Sequence, residues 1–376
     1  MRYLKLLFIC TMLPLAMLIG GCGGSSGSGG SGGSGGQTTT VYVAGYATSP
    51  SGGTVAAEEW ELASGSSTAT VTALPLPSGM IDSEANAIAA SGSNVYVVGN
   101  ASSSTAGSPA YWVNGTVTPL SVPSGTPGLA LADAIAVSGG NVYVAGYVFP
   151  SGGYPSAAYW ANGTVSVLPM PSGVTGYSEA YGIAVSGSDV YVAGMAGPDT
   201  AVYWVNGTPT ALPVPSGVNS LSFGTPGTPG VAGIAVSGSD VYVAGNADPA
   251  VVAYWVNGTA TTLALPAEPY LAYAQAITVS GGDVYVVGYG VLLDGSEVAA
   301  YWVNGIGMVL SPPSGMDMSY ATAIAVAGSN VYVAGYAEDS TGKYSAVLWT
   351  NGVAMTLPTP SGMAQAQAEA IAVSTQ

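Results

Sequence analysis

The sequence contains no histidine, and this absence removes more chemistry than any other feature of the chain. Without imidazole there is no Ser-His-Asp triad, no imidazole general base and no histidine metal ligand. Basic residues are almost missing too: Arg2, Lys5 and Lys343 are the whole set, against 19 acids. Phosphate backbones are neutralised by Lys and Arg, so nucleic acid is all but excluded as a partner. An anionic membrane surface would repel the chain for the same reason. No arginine beyond Arg2 is available to clamp a substrate carboxylate. Cysteine stands only at positions 10 and 22, so disulfides contribute nothing to a folded body. Charged residues make up 6 % of the chain, which leaves Ser, Thr, Asn and Gly to hydrate the surface.

What is present begins with a leader. Residues 1–21 read as a secretory signal, with Arg2 and Lys5 at its start and an apolar run from Leu6 to Ile19. That run is too short for a membrane-spanning helix. It ends Leu18-Ile19-Gly20-Gly21-Cys22, which resembles the bacterial lipobox. The resemblance implies lipidation of Cys22, cleavage before it, and a protein held at the cell envelope by acyl chains alone. Gly23 stands where an Asp would signal retention at the inner membrane, so the outer membrane or cell surface is expected. Without the leader the balance is 19 acids against one Lys, a net charge of −18. Residues 22–36 form the lipidated cysteine and a Gly/Ser tether. Its r.m.s. span is roughly 20 Å, enough to hold the body near the membrane without orienting it.

From residue 37 to 376 one phrase dominates. Val-Tyr-Val-Ala-Gly or a close variant occurs seven times, beginning at Val41, Val95, Val142, Val190, Val241, Val284 and Val331. The steps between copies are 54, 47, 48, 51, 43 and 47 residues, and a period in the 40s built of short strands and turns is the signature of propeller blades. Each unit divides into four β-rich runs, A to D. In the third unit these are Asp133–Gly139, Asn141–Tyr147, Ala157–Asn162 and Thr164–Leu168. Asn-Gly separates C from D in six units (Asn114, Asn162, Asn206, Asn257, Asn304, Asn351), and this pair suits a two-residue type I′ hairpin. An Asn or Asp closes the A–B turn, where the alternation argues for backbone turn chemistry over charge.

Runs A and B are apolar on both faces, as expected of strands covered on both sides. The seven tryptophans fall once per unit on run C, and such recurrence points to packing between blades. Burying each ring removes on the order of 150–250 Å² from water, about 4–6 kcal/mol per blade as an upper limit. The body starts with a B run (Val41–Tyr46) and ends with an A run (Glu369–Ser374). Joining the two completes a seventh blade and removes two free sheet edges. The predicted fold is therefore all-β: a seven-bladed β-propeller of four antiparallel strands per blade, closed by the C-terminal strand A on N-terminal strands B to D.

The units resemble those of secreted bacterial β-propeller repeat proteins, in which Ala-Ile-Ala-Val followed by Val-Tyr-Val-x-Gly recurs. Tyr-Trp-x-Asn-Gly is also similar to part of the HAF-type extracellular repeat. The likeness runs over residues 41–374. It implies the fold and says almost nothing about activity.

Variable insertions fall in the B–C and D–A connections, which share one face, and most acids go with them, including Asp82, Glu84, Asp133, Glu179, Asp248, Glu268, Glu297, Glu338 and Glu369. Binding residues sit disproportionately on such loops. Nearer the axis, the residue two before each strand-A Ile breaks the repeat: Asn86, Asp133, Tyr181, Ala232, Gln275, Thr322 and Glu369. Asn86, Asp133, Tyr181, Gln275, Thr322 and Glu369 are the candidate ligand-binding residues. A cation or polyol could use Asp133 and Glu369 with Tyr181 as a stacking wall, and Ca²⁺ would suit these oxygen donors. A solvated polar rim is the plain alternative. No Asp-x-Asp-x-Asp-Gly loop is present, and no catalytic residue stands out. Two functions remain. One is a tethered, monomeric, non-catalytic module presenting an acidic face to a protein or carbohydrate. The other is a Ca²⁺-dependent or carboxylate-based hydrolase or lyase acting at the channel mouth.

Overall fold

The computed structural model describes residues 38–103, 107–124, 129–216, 230–247, 251–264 and 271–376. The leader, Cys22 and the tether lie outside them, as do Asp248 and Glu268. The described residues hold 28 strands in seven four-stranded sheets, each ordered A-B-C-D and antiparallel throughout. Blade 1 takes its B, C and D strands (Thr39–Thr48, Val55–Leu62, Thr70–Ala73) from the start of the body and its A strand (Gln365–Thr375) from the end. Thr39 pairs with Thr375 and Thr48 with Gln365, so the closing seam runs the full length of strand B. The chain is a seven-bladed β-propeller.

Each strand A packs against the strands A of the blades on both sides, and the series passes from blade 7 to blade 1 and on to blade 2. The A strands therefore surround the axis. Strand D is the outer edge of every blade and is short, four or five residues, with a largely exposed pattern. An edge this short presents little to a second molecule for pairing. Strands A and B are buried along most of their length on both faces, as the continuous apolar runs require.

The tryptophans join the blades. All seven are essentially inaccessible to solvent. Each indole N–H donates to a carbonyl just beyond strand D of the preceding blade: Trp112 to Pro75 at 2.8 Å, Trp204 to Pro169 at 2.7 Å, and Trp60 to Pro358 at 2.8 Å across the closing seam. The ring supplies apolar area and its one donor finds an acceptor, so burial leaves nothing unpaired.

The Asn-Gly turns have the predicted backbone, with φ of 47° to 50° at the six asparagines and positive φ at the glycines that follow. Each Asn side chain also works across the blade. In blade 4, Asn206 Oδ1 accepts from Val190 N at 2.9 Å while its Nδ2 donates to Asp189 at 2.8 Å. In blade 3 the acceptor in the same slot is Asn141, which explains why Asn and Asp interchange there.

Candidate functional site at the axial mouth

The glycine that ends Val-Tyr-Val-Ala-Gly faces a β-bulge in strand A of its own blade. Pairing skips one strand-A residue at the same place in all seven blades. A Cβ on Gly146 would overlap the carbonyl oxygen of Leu131, and Gly45, Gly99, Gly194, Gly245, Gly288 and Gly335 face equivalent carbonyls. The repeat keeps Gly there because the bulge pushes backbone into the space a side chain would need.

The skipped residues are Asn86, Asp133, Tyr181, Ala232, Gln275, Thr322 and Glu369, the same positions that break the repeat in sequence. They share one level around the axis, near the face carrying the B–C and D–A connections. They do not form a solvated rim. Asn86, Asp133, Tyr181, Thr322 and Glu369 are buried, and only Gln275 is partly exposed. The expectation that Asp133 and Glu369 travel with the loops is also corrected, since both are strand residues inside the wheel. A bulge aims its extra side chain off the ladder and leaves local backbone groups unpaired.

Some of these side chains are committed to neighbouring blades. Asn86 Nδ2 donates to Ala132 O at 2.9 Å, and Asn100 Oδ1 accepts from Ala132 N at 2.9 Å. Blade 2 thus satisfies both backbone groups of the residue preceding the next bulge. Thr322 Oγ1 donates to Ala368 O at 2.9 Å in the same manner. Asn246 accepts from Ala274 N at 2.7 Å. Asn86 and Thr322 therefore hold blades together, and whatever they offer a ligand comes after that role.

The acids differ. Both carboxylate oxygens of Glu369 and Oδ2 of Asp133 are buried with no hydrogen-bond partner. Burial, and then the charge of Glu84, pushes the Glu369 carboxyl well above its ordinary range. Burial and Glu179 do the same to Asp133. Glu84 is raised to about 7 by burial and by Asp82. Tyr181 donates to Glu179, which partly offsets the burial that raises the glutamate.

The residue after each bulge-facing glycine completes the mouth. Tyr46, Tyr147, Tyr289 and Tyr336 stand there in four blades, with Asn100, Met195 and Asn246 in the others. Cross-strand from them lie Gln367, Leu131, Tyr273 and Tyr320 in the tyrosine blades. From blade 6 to blade 7 the rings touch in series. Centroids are 5.1 Å apart for Tyr273–Tyr289, 5.3 Å for Tyr289–Tyr320, 4.7 Å for Tyr320–Tyr336 and 5.5 Å for Tyr336–Tyr344. Tyr320 donates to Glu297, and Tyr46 donates to Gln367 at 2.8 Å. The position following the glycine was the sequence signal for this array, because it varies inside an otherwise constant phrase.

A further acid lies away from the axis. Glu58, on strand C of blade 1, is 1 % exposed and both its oxygens lack a partner. Other blades carry Ala110, Ala158, Val202, Ala253, Ala300 or Val347 at that place. Burial raises its carboxyl to about 7. Among the described residues no group of three or more Asp, Glu, His or Cys is arranged to hold a metal ion.

No protein-family model matches the chain, and no curated protein matches it. Solved structures similar to it include apo AztD from Citrobacter koseri, at 14 % identity and a TM-score of 0.40, covering 90 % of this chain and 98 % of that one. The β-propeller domain of the Trilobed protease from Pyrococcus furiosus is 9 % identical with a TM-score of 0.47, covering 86 % and 93 %. YjhT is 15 % identical with a TM-score of 0.40, covering 81 % and 99 %. These are likenesses of architecture, and no function is taken from them.

Proposed function

We propose that the protein is a non-catalytic binding module of the bacterial cell envelope, lipid-anchored through Cys22, which presents its B–C and D–A face to a protein or carbohydrate partner. The observation that carries this reading is the run of touching tyrosines at the axial mouth, flanked by carboxylates and placed on a rigid ring of strands. Aromatic faces with a few convergent polar groups are what recognition sites are made of. The wheel holds them on strands, whose positions are fixed by packing on both sides.

A screen of the purified protein against glycans and envelope proteins tests the reading. Retention of a partner that is lost in Tyr336→Ala and kept in Asp240→Asn, a change on the opposite face, is the expected result. Binding that survives the loss of Tyr336 and disappears with Asp240 would place recognition elsewhere.

A further inference from the structure

We propose that the mouth between blades 6, 7 and 1 takes an organic ammonium ion, held between tyrosine faces and glutamates. The inference rests on the binding-module reading and narrows it to a chemical class. Three observations lead to it. The first is the set of angles between successive rings, 66° for Tyr289–Tyr320, 25° for Tyr320–Tyr336 and 88° for Tyr336–Tyr344. Tyr289 meets Tyr320 edge to face and Tyr336 meets Tyr344 the same way, so the faces of the array are turned in different directions. A sugar ring stacks best on a single flat face, whereas an ammonium group gains from several π-faces directed at it from different sides.

The second observation is charge. Glu297 and Glu338 are partly exposed beside these rings, Glu84 is partly exposed near Tyr46 and Glu369, and Lys343 is the lone basic residue among the described residues. That lysine lies on the B–C connection of blade 7 between Asp339 and Tyr344, where its charge acts on Asp339, and the acids around the mouth outnumber it. The third is Glu369, fully buried next to Tyr46 and Tyr336, with neither carboxylate oxygen partnered. A buried carboxylate normally accepts several hydrogen bonds, and one left without any is unfinished chemistry. An ammonium ion brings both the missing charge and N–H donors. A hard metal ion fits less well, since aromatic faces give it no ligand atoms and among the described residues no three acids converge.

The source of the ammonium group can be a free polyamine or a lysine side chain of a polypeptide, and the test separates them. Calorimetric titration of the purified protein uses spermidine, an oligolysine peptide, the same peptide fully acetylated on its side chains, and a neutral oligosaccharide. We expect spermidine or oligolysine to bind and the acetylated peptide to fail. Spermidine alone identifies a free amine, and oligolysine alone a lysine side chain. Tyr336→Leu removes a ring without changing charge and should weaken binding about tenfold. Tyr344→Leu, at the partly exposed end of the array, provides the same reading if Tyr336→Leu does not fold. Asp240→Asn should leave affinity unchanged. Binding of the oligosaccharide without either amine overturns the ammonium assignment and leaves the binding module standing. Amine binding that ignores both tyrosine changes and weakens in Asp240→Asn is diffuse counterion attraction, and overturns it too. So does the absence of binding by every probe.

Discussion

Glu58 should make the wheel less stable as the pH rises, and replacing it should strengthen the protein in neutral and alkaline solution. Its carboxyl lies buried on strand C of blade 1 without a hydrogen-bond partner. Six other blades place Ala or Val at the equivalent site. Burial raises it from an ordinary 4.5 to about 7. A group raised in the folded state is protonated there while the unfolded chain has already released its proton. Stability from this linkage is complete below pH 4.5 and declines until about pH 7. At about 1.4 kcal/mol for each pH unit, Glu58 alone accounts for about 3 kcal/mol. Glu84, Asp133 and Glu369 are raised in the same direction and add to the slope. Comparing Glu58→Ala with the parent cancels those shared contributions. Urea unfolding of both proteins from pH 4.5 to 8 is the assay, with reversibility checked at each point. The variant should gain about 3 kcal/mol over the parent at pH 8 relative to their difference at pH 4.5. A difference that does not change with pH would refute the assignment of a buried, proton-holding Glu58.

Other perturbations bear on the parts that shape the mouth. Gly194→Ala forces a Cβ onto the carbonyl of Glu179. It should cost about 3 kcal/mol or more by urea unfolding, whereas an Ala at an open turn would cost far less. Trp160→Phe leaves Ser121 O without its 2.6 Å indole donor and should lower stability by about 1–3 kcal/mol in the same assay. Asn206→Gly keeps the turn backbone accessible and loses the side-chain bonds to Val190 and Asp189. Asn206→Ala also meets the strain of φ 50° and should unfold at lower urea than Asn206→Gly.

Much of the wheel is legible in the chain because repetition does the labelling. Trp112 to Trp349 mark strand C, Asn-Gly marks the next turn, and the out-of-phase ends at Val41 and Ser374 require closure. The bulge is not legible. Strand A is apolar on both faces, so a one-residue slip at Asn86 or Glu369 leaves the hydrophobic pattern unchanged. The sequence therefore locates the seven off-repeat residues correctly and misjudges their surroundings, since all but Gln275 are buried. Tyr46 and Tyr336 go unnoticed as site residues because they follow the glycine directly and read as the end of strand B. Glu58 is hidden by its neighbours: beside Glu59 and Glu61 it looks like one more solvated acid, and only the register opposite Gly45 shows it facing inward.

The closing seam decides the rest, since Glu369 comes from the end of the body and both Tyr46 and Glu84 from its beginning. Thermal melting of the protein lacking residues 365–376, followed by circular dichroism beside the full chain, is the direct test. The account predicts a much lower melting temperature or no cooperative transition, because blade 1 would lose its inner strand and blades 7 and 2 their shared neighbour. A truncated protein that melts as the full chain does would contradict it.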